Sequence, residues 1–300
     1  MKKTAPDWSK LIVKELETIS ARSHRRIGRI FEDWASLTLE SLIRLPANFE
    51  AIQRTGKPAE DPPEVKKLWS DIESKCGRWA FQHFGNAFAV LGDSSQVYQD
   101  VIGQVFMEIG ARGDGQFFTP WSVAVTMAKM TLEKRDVIAD VHARLDKAAT
   151  PLIQMGKLMG KDPRDMPDWY QTAARLIAQS DAYNYEPLTV LDPACGSGNL
   201  LVAAASMVPK WMNYMGAITY HGNDIDPTCV TMARINMHLY GLNGHALYVE
   251  FDPDADIDAD AFKWDAPHVP KRQPKPAQQP IITAQPQPVT AAEPHQLTLF

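Results

Sequence analysis

No apolar run in this 300-residue chain is long enough for a membrane-spanning helix, and the opening MKKTAPDWSK lacks the apolar core of a secretory signal. Cysteine is scarce. Cys76, Cys195 and Cys229 have neither metal-site nor redox spacing, so a reducing, cytoplasmic setting without a bound metal is expected. Positive charge is not in excess either. At a net charge of −5, the chain lacks the overall basic surface with which a protein that grips DNA unaided neutralises phosphates. Beyond residue 266 core-forming residues run out, and Pro, Gln and Ala dominate. Such a composition cannot bury a core, and disorder is expected there.

What is present suits one compact domain with appendages, since 45% of the residues are hydrophobic. Residues 8–110 read as helical. Leu11, Ile12, Leu16 and Ile19 recur at helical spacing, as do Ile27, Ile30, Phe31, Trp34 and Leu37. Gly and Pro break the pattern near 55–64, and Val97, Val101, Ile102, Val105, Phe106 and Ile109 form another apolar face. Arg22, His24, Arg25, Arg26 and Arg29 read either as a solvated helix face or as a phosphate contact. A helix is predicted over 121–132. The charged spacer 133–186 predicts one helix, over 168–179, and has no assignable chemistry. Strands predicted at 188–192, 217–224 and 245–251 alternate with helices at 198–208 and 227–240. Asp226 and Pro227 start the latter helix and Gly241 ends it. That alternation is the first half of a doubly wound parallel sheet.

The chemistry concentrates in LTVLDPACGSGNLL (188–201) and HGNDIDP (221–227). A short strand ends in Asp192, turns through Gly196 and Gly198, and enters an apolar helix at Asn199. Without a Cβ, those glycines let the backbone turn sharply and approach a ligand, with a helix N-terminus beside it. Asp224, closing the second strand, has the position of a ribose-binding carboxylate, with Asp226 the second choice. The alternative for both acids is helix capping alone. Cys195 reads as a small residue in the turn rather than a nucleophile. The aspartates of DPDADIDAD (252–260) read as a solvated acidic loop, because the glycine and closing glutamate of a calcium loop are absent.

The glycine turn, DVIGQVFMEIGARGDGQFFTPWSVAVTMAKM (100–130) before it and HGNDIDPTCVTMARINMHLYGL (221–242) after it resemble, in order, the adenine-N6 DNA methyltransferases. The glycine-turn run looks especially like the modification subunits of type I restriction systems, and the resemblance covers roughly residues 97–250 with a long spacer inside. It implies an α/β fold: a partial doubly wound parallel sheet of the class I S-adenosylmethionine-dependent methyltransferase kind, a helical domain before it and a disordered tail after it. The expected divisions are 1–110, 111–262 and 263–300. The implied cofactor is S-adenosyl-L-methionine. Asp192, Pro193, Ala194, Gly196 and Gly198 would hold its amino-acid end and Asp224 or Asp226 its ribose. Phe117, Phe118, Thr119 and Pro120 would pack over the methionine, and Asp252 or Glu250 would bond the adenine amino group.

The chain departs from that family where the target base would be held. The family's Asn/Asp-Pro-Pro-aromatic tetrapeptide bonds and stacks on a flipped adenine, and no such tetrapeptide occurs here. Asp61-Pro62-Pro63-Glu64 lacks the aromatic and lies in an N-terminal loop. Asp265 and Pro267 stand at about the expected distance, without the second proline or the aromatic. The final Gln296-Leu297-Thr298-Leu299-Phe300 resembles the peptide with which bacterial replication and repair proteins dock on the β sliding clamp. Gln296, Leu297, Leu299 and Phe300 would make that contact. Three readings follow: an adenine-N6 DNA methyltransferase, active alone or with a partner that completes its site; a non-catalytic adaptor brought to DNA by the clamp; and, less supported by the QFFTP segment, a methyltransferase acting on a protein, an RNA or a small molecule.

Overall fold

The computed structural model describes residues 6–110, 118–133, 135–180, 183–248 and 296–298. The N-terminal part is helical: α1 (Trp8–Ser23), α2 (Ile27–Thr55), α3 (Pro63–Cys76), α4 (Ala80–Ser94) and α5 (Val101–Glu108). Local chemistry sets the ends. Asp7 caps α1 by accepting from the Lys10 N–H, and Gly56 closes α2 in the left-handed conformation at φ 73°. Ile12, Leu16, Ile19, Ile30, Phe31 and Trp34 are fully buried, as the helical spacing predicts, whereas Leu11 is turned outward. Val97 also differs from expectation. Asp100 starts α5 by accepting from Gly103 N–H at 2.9 Å, so Val97 falls before the helix and is 66% exposed.

Three of the five residues of the basic cluster, Arg22, Arg25 and Arg29, find partners within the chain. Arg25 pairs with Asp33 and donates to Cys76 Sγ at 2.8 Å; Arg29 pairs with Glu32 at 2.6 Å; Arg22 lies 4.2 Å from the Trp79 ring centroid. The spacer is more ordered than its sequence suggests. After α6 (Trp121–Glu133) it forms α7 (Val137–Ala148), α8 (Thr150–Leu158) and α9 (Trp169–Ala178). Val141, Leu145, Trp169, Ala173 and Ile177 join the core cluster that covers the sheet. The Tyr185 hydroxyl donates to the Ala217 carbonyl at 2.8 Å and fixes the spacer to the second strand's entry.

The sheet strands are β1 (Leu188–Asp192), β2 (Ile218–Asp224) and β3 (Gly244–Tyr248), with α10 (Asn199–Ala205) and α11 (Lys210–Tyr214) after β1 and α12 (Pro227–Tyr240) after β2. All pair in parallel, in the order β3-β2-β1, with Leu188 beside Ile218 and Tyr220 beside Gly244. Leu188, Val190, Ile218, Tyr220 and Ala246 share the face that packs into the core; Thr189, Leu191, Thr219 and His221 on the other face are half-buried. α12 contributes to two cores. Val230, Ala233 and Met237 pack with the sheet, while Cys229, Met232 and Ile235 pack with α1, α2 and α5.

The tail brings one departure from expected disorder. Gln296–Thr298 form a short strand, β4, parallel to β1 on the side away from β2. The ladder groups on that side of β1 make such pairing available. Phe117, Glu250, Asp252, Asp265, Pro267, Leu299 and Phe300 lie outside the described residues. No helix among the described residues is long and apolar enough to cross a membrane.

Candidate cofactor site

The turn between β1 and α10 is held from several sides. Gly196 and Gly198 adopt positive φ, 53° and 80°. A Cβ on Gly198 would lie 3.2 Å from Ala233 Cα on α12, so the absent side chain allows the turn to sit against that helix. Cys195 N–H donates to the Asn223 carbonyl of β2 at 2.8 Å, and Gly198 N–H donates to the Cys195 carbonyl at 2.7 Å. Gly196 N–H donates to Asp224 Oδ2 at 2.8 Å, while Asp224 Oδ1 accepts from Asp226 N–H at 2.9 Å. Asp226 caps α12 by accepting from Thr228 N–H at 2.7 Å. Capping is therefore present at Asp226, and Asp224 is tied directly to the glycine turn.

The helical region grips the same turn from behind. Buried Asp100 accepts from the Ser197 hydroxyl, from Asn236 Nδ2 at 2.8 Å and from Gly103 N–H. Asn236 Nδ2 also donates to the Ser197 carbonyl at 2.8 Å. In front, Asn199 Nδ2 donates to the Thr119 carbonyl at 2.6 Å, and Phe118 packs against Phe106 in a tilted pair with centroids 5.5 Å apart. These elements surround a cavity of about 220 Å³ lined by Phe118, Thr119, Ala194, Cys195, Gly196, Ser197, Asn199, Leu200, Asp224, Ile225 and Cys229.

Residues 171–267 match the family model described as N-6 DNA Methylase, which takes in the glycine turn, Asp224 and Asp226. That segment is thus similar to the N-6 DNA methylases. Ribosomal protein L11 methyltransferase of Edwardsiella ictaluri is 34% identical over 92 residues, 30% of this chain and 29% of that protein. The crystal structure of the type I restriction-modification system methyltransferase subunit from Streptococcus thermophilus aligns with 83% of this chain and 59% of its own, at 12% identity and a TM-score of 0.40. The chain thus spans less than two thirds of either protein. The methylase segment is of methyltransferase type.

Of the residues expected at the site, Phe118, Thr119, Ala194, Gly196 and Asp224 line the cavity together. Pro120, Pro193, Asp192, Gly198 and Asp226 adjoin it without lining it. Asp192 is fully buried beneath the turn, where Oδ1 accepts from Ala194 N–H at 3.1 Å. Burial pushes its carboxyl up to about 6 against the pull of that N–H, and nearby Asp224 pushes the same way. Asp192 Oδ2 and Asn199 Oδ1 are buried with no hydrogen-bond partner among the described residues. Burial also raises the Cys195 thiol well above its usual range, which leaves it un-ionised and a poor nucleophile.

Sequence reasoning did not find the Asp100–Ser197–Asn236 cluster, Asn199 or Ile225. A polar residue ahead of the apolar VIGQVF face was a cap signal for Asp100. Ile225, 65% exposed between Asp224 and Asp226, was an apolar residue standing alone among acids. Among the described residues no group of His, Cys, Asp and Glu could hold a metal ion.

Proposed function

We propose that the methylase segment binds S-adenosylmethionine in the cavity between the glycine turn and Asp224, and that the chain is an adenine-N6 DNA methyltransferase homologue, active alone or with a partner that completes its site. The observation that carries this reading is the 2.8 Å bond from Gly196 N–H to Asp224, which joins the two cofactor-type motifs at one cavity. The residues fit the group. Asp192 and Asn199 leave buried acceptor atoms free on the same turn, and Gly196 lacks the Cβ that would stand 3.3 Å from the Phe118 ring. At about 220 Å³ the cavity is smaller than ligand sites of about 300–1,000 Å³, so the described residues enclose only part of the molecule.

When bound, S-adenosylmethionine supplies a methyl group activated by its sulfonium. Asp224 would accept from its ribose hydroxyls, with the Asp226 N–H holding Asp224 Oδ1 from behind. The backbone of 192–198 would hold the amino-acid end, and Phe118, Thr119 and Pro120 would exclude water from the methionine side. Titration calorimetry with S-adenosylmethionine tests this. Asp224→Ala is expected to weaken binding by about tenfold or more, the usual worth of charge-assisted hydrogen bonds. Equal affinity in the variant removes the assignment.

The second reading, a non-catalytic adaptor, is favoured by the absence of an Asn/Asp-Pro-Pro-aromatic tetrapeptide and by the Gln-Leu-Thr-Leu-Phe ending. In it the β sliding clamp brings the chain to DNA, providing the proximity that a net charge of −5 does not. Transfer of labelled methyl to unmethylated DNA, with purified clamp present, separates the two. Incorporation that Asp192→Ala abolishes supports catalysis. None, at protein levels where a control methyltransferase is seen, supports the adaptor.

A further inference from the structure

β1 carries the glycine turn, yet within residues 183–248 only β2 flanks it. Its inward side chains are core, with Leu188 at 0% and Val190 at 2% exposure. A strand so placed normally has neighbours on both sides, because unmatched backbone donors and acceptors in a covered sheet are costly. The neighbour on the open side is the chain's own C-terminal segment. Thr189 stands beside Gln296, Val190 beside Leu297 and Leu191 beside Thr298, all in parallel register.

We infer that the outer edge of β1 is a strand-accepting surface whose occupant is Gln296–Thr298 of the same chain, and that these residues leave the sheet whenever they dock elsewhere. Parallel pairing needs a long crossover. The 47 residues 249–295 between β3 and β4 provide it, with a reach of about 150 Å if extended. The tail keeps the sheet all-parallel, and its pairing stops at Leu191, one residue before Asp192 and the turn. A three-residue ladder is short enough to open, so occupancy is reversible.

Gln296–Thr298 are also the first residues of the clamp-type pentapeptide. Strand pairing and docking on a clamp use the same backbone and exclude each other. That corollary rests on the clamp reading; the strand-accepting edge does not.

Hydrogen–deuterium exchange of the full chain tests the inference at the β1 amides that point away from β2. Deleting residues 296–300, and separately Leu297→Pro, is expected to speed their exchange by about tenfold or more while α1 and α12 are unchanged. A synthetic peptide of residues 291–300, added in excess to the truncated chain, is expected to restore protection. Identical β1 exchange in the full chain and both variants overturns the inference. Protection that grows with protein concentration also overturns it, by assigning the strand to a second copy. A clamp that fails to bind leaves the exchange result standing, so the two ideas fail separately.

Discussion

Replacing Asp100 with Ala should be the most damaging single change near the glycine turn. Its carboxylate accepts from Gly103 N–H, Asn236 Nδ2 and the Ser197 hydroxyl, all within a fully enclosed site. Alanine strips acceptors from all of these donors. The Ser197 hydroxyl can rotate and Asn236 retains the Ser197 carbonyl at 2.8 Å, so the penalty is less than a full sum. Loss of the α5 cap adds about 1 kcal/mol, and stranded buried donors cost about 1–3 kcal/mol each. We expect a net loss of about 3–5 kcal/mol, a large share of the roughly 5–15 kcal/mol that holds a domain folded.

Asp100→Asn is the informative control. Its carbonyl can keep Gly103 and Asn236 as donors, its NH₂ can face Ser197, and the Ser197 hydroxyl can turn to accept. Burial already raises the Asp100 carboxyl above its ordinary range, so a neutral side chain relieves the cost of enclosing charge. The expected loss is about 1 kcal/mol or less. Urea unfolding followed by far-UV circular dichroism measures both variants, and Asp100→Ala with Ser197→Ala in a double-mutant cycle should show coupling of about 1–3 kcal/mol. Equal losses for Ala and Asn, or no coupling, would refute the picture of a shared acceptor holding the turn.

Asp192 makes stability depend on pH in a defined direction. Its folded carboxyl, near 6, lies above the ordinary 3.8, so the folded state binds more protons between those values. Stability should fall as pH rises from 4 to 6, by no more than about 3 kcal/mol, and Asp192→Asn should remove that slope in urea titrations. Gly198→Ala must place a Cβ 3.2 Å from the α12 backbone at φ 80°, and a loss of about 1–3 kcal/mol is expected. A thermal midpoint equal to the parent's would contradict the close approach. Cys195, enclosed and held protonated, should react with iodoacetamide at neutral pH far more slowly than in urea. Equal labelling rates, read by peptide mass spectrometry, would show the turn to be open.

Local chemistry determined a good part of this protein. Apart from α11, which the sequence reading left out, the strand and helix spans from β1 to β3 were legible within a few residues, because β-rich runs, the Asp226-Pro227 start and Gly241 are decisions made by neighbours in sequence. The glycine turn and Asp224 were legible for the same reason: a turn with positive φ demands glycine, and a strand end displays its acid. Tertiary structure decided the rest. Asp100 meets Ser197 and Asn236 across 97 and 136 residues, and no periodicity encodes that encounter. The spacer's amphipathic helices had a face to bury but nothing in the sequence naming the sheet as its cover. Gln296–Thr298 carry too little pattern to announce a strand. They become one beside the open edge of β1, because a strand's hydrogen-bond partner exists only once the sheet has formed.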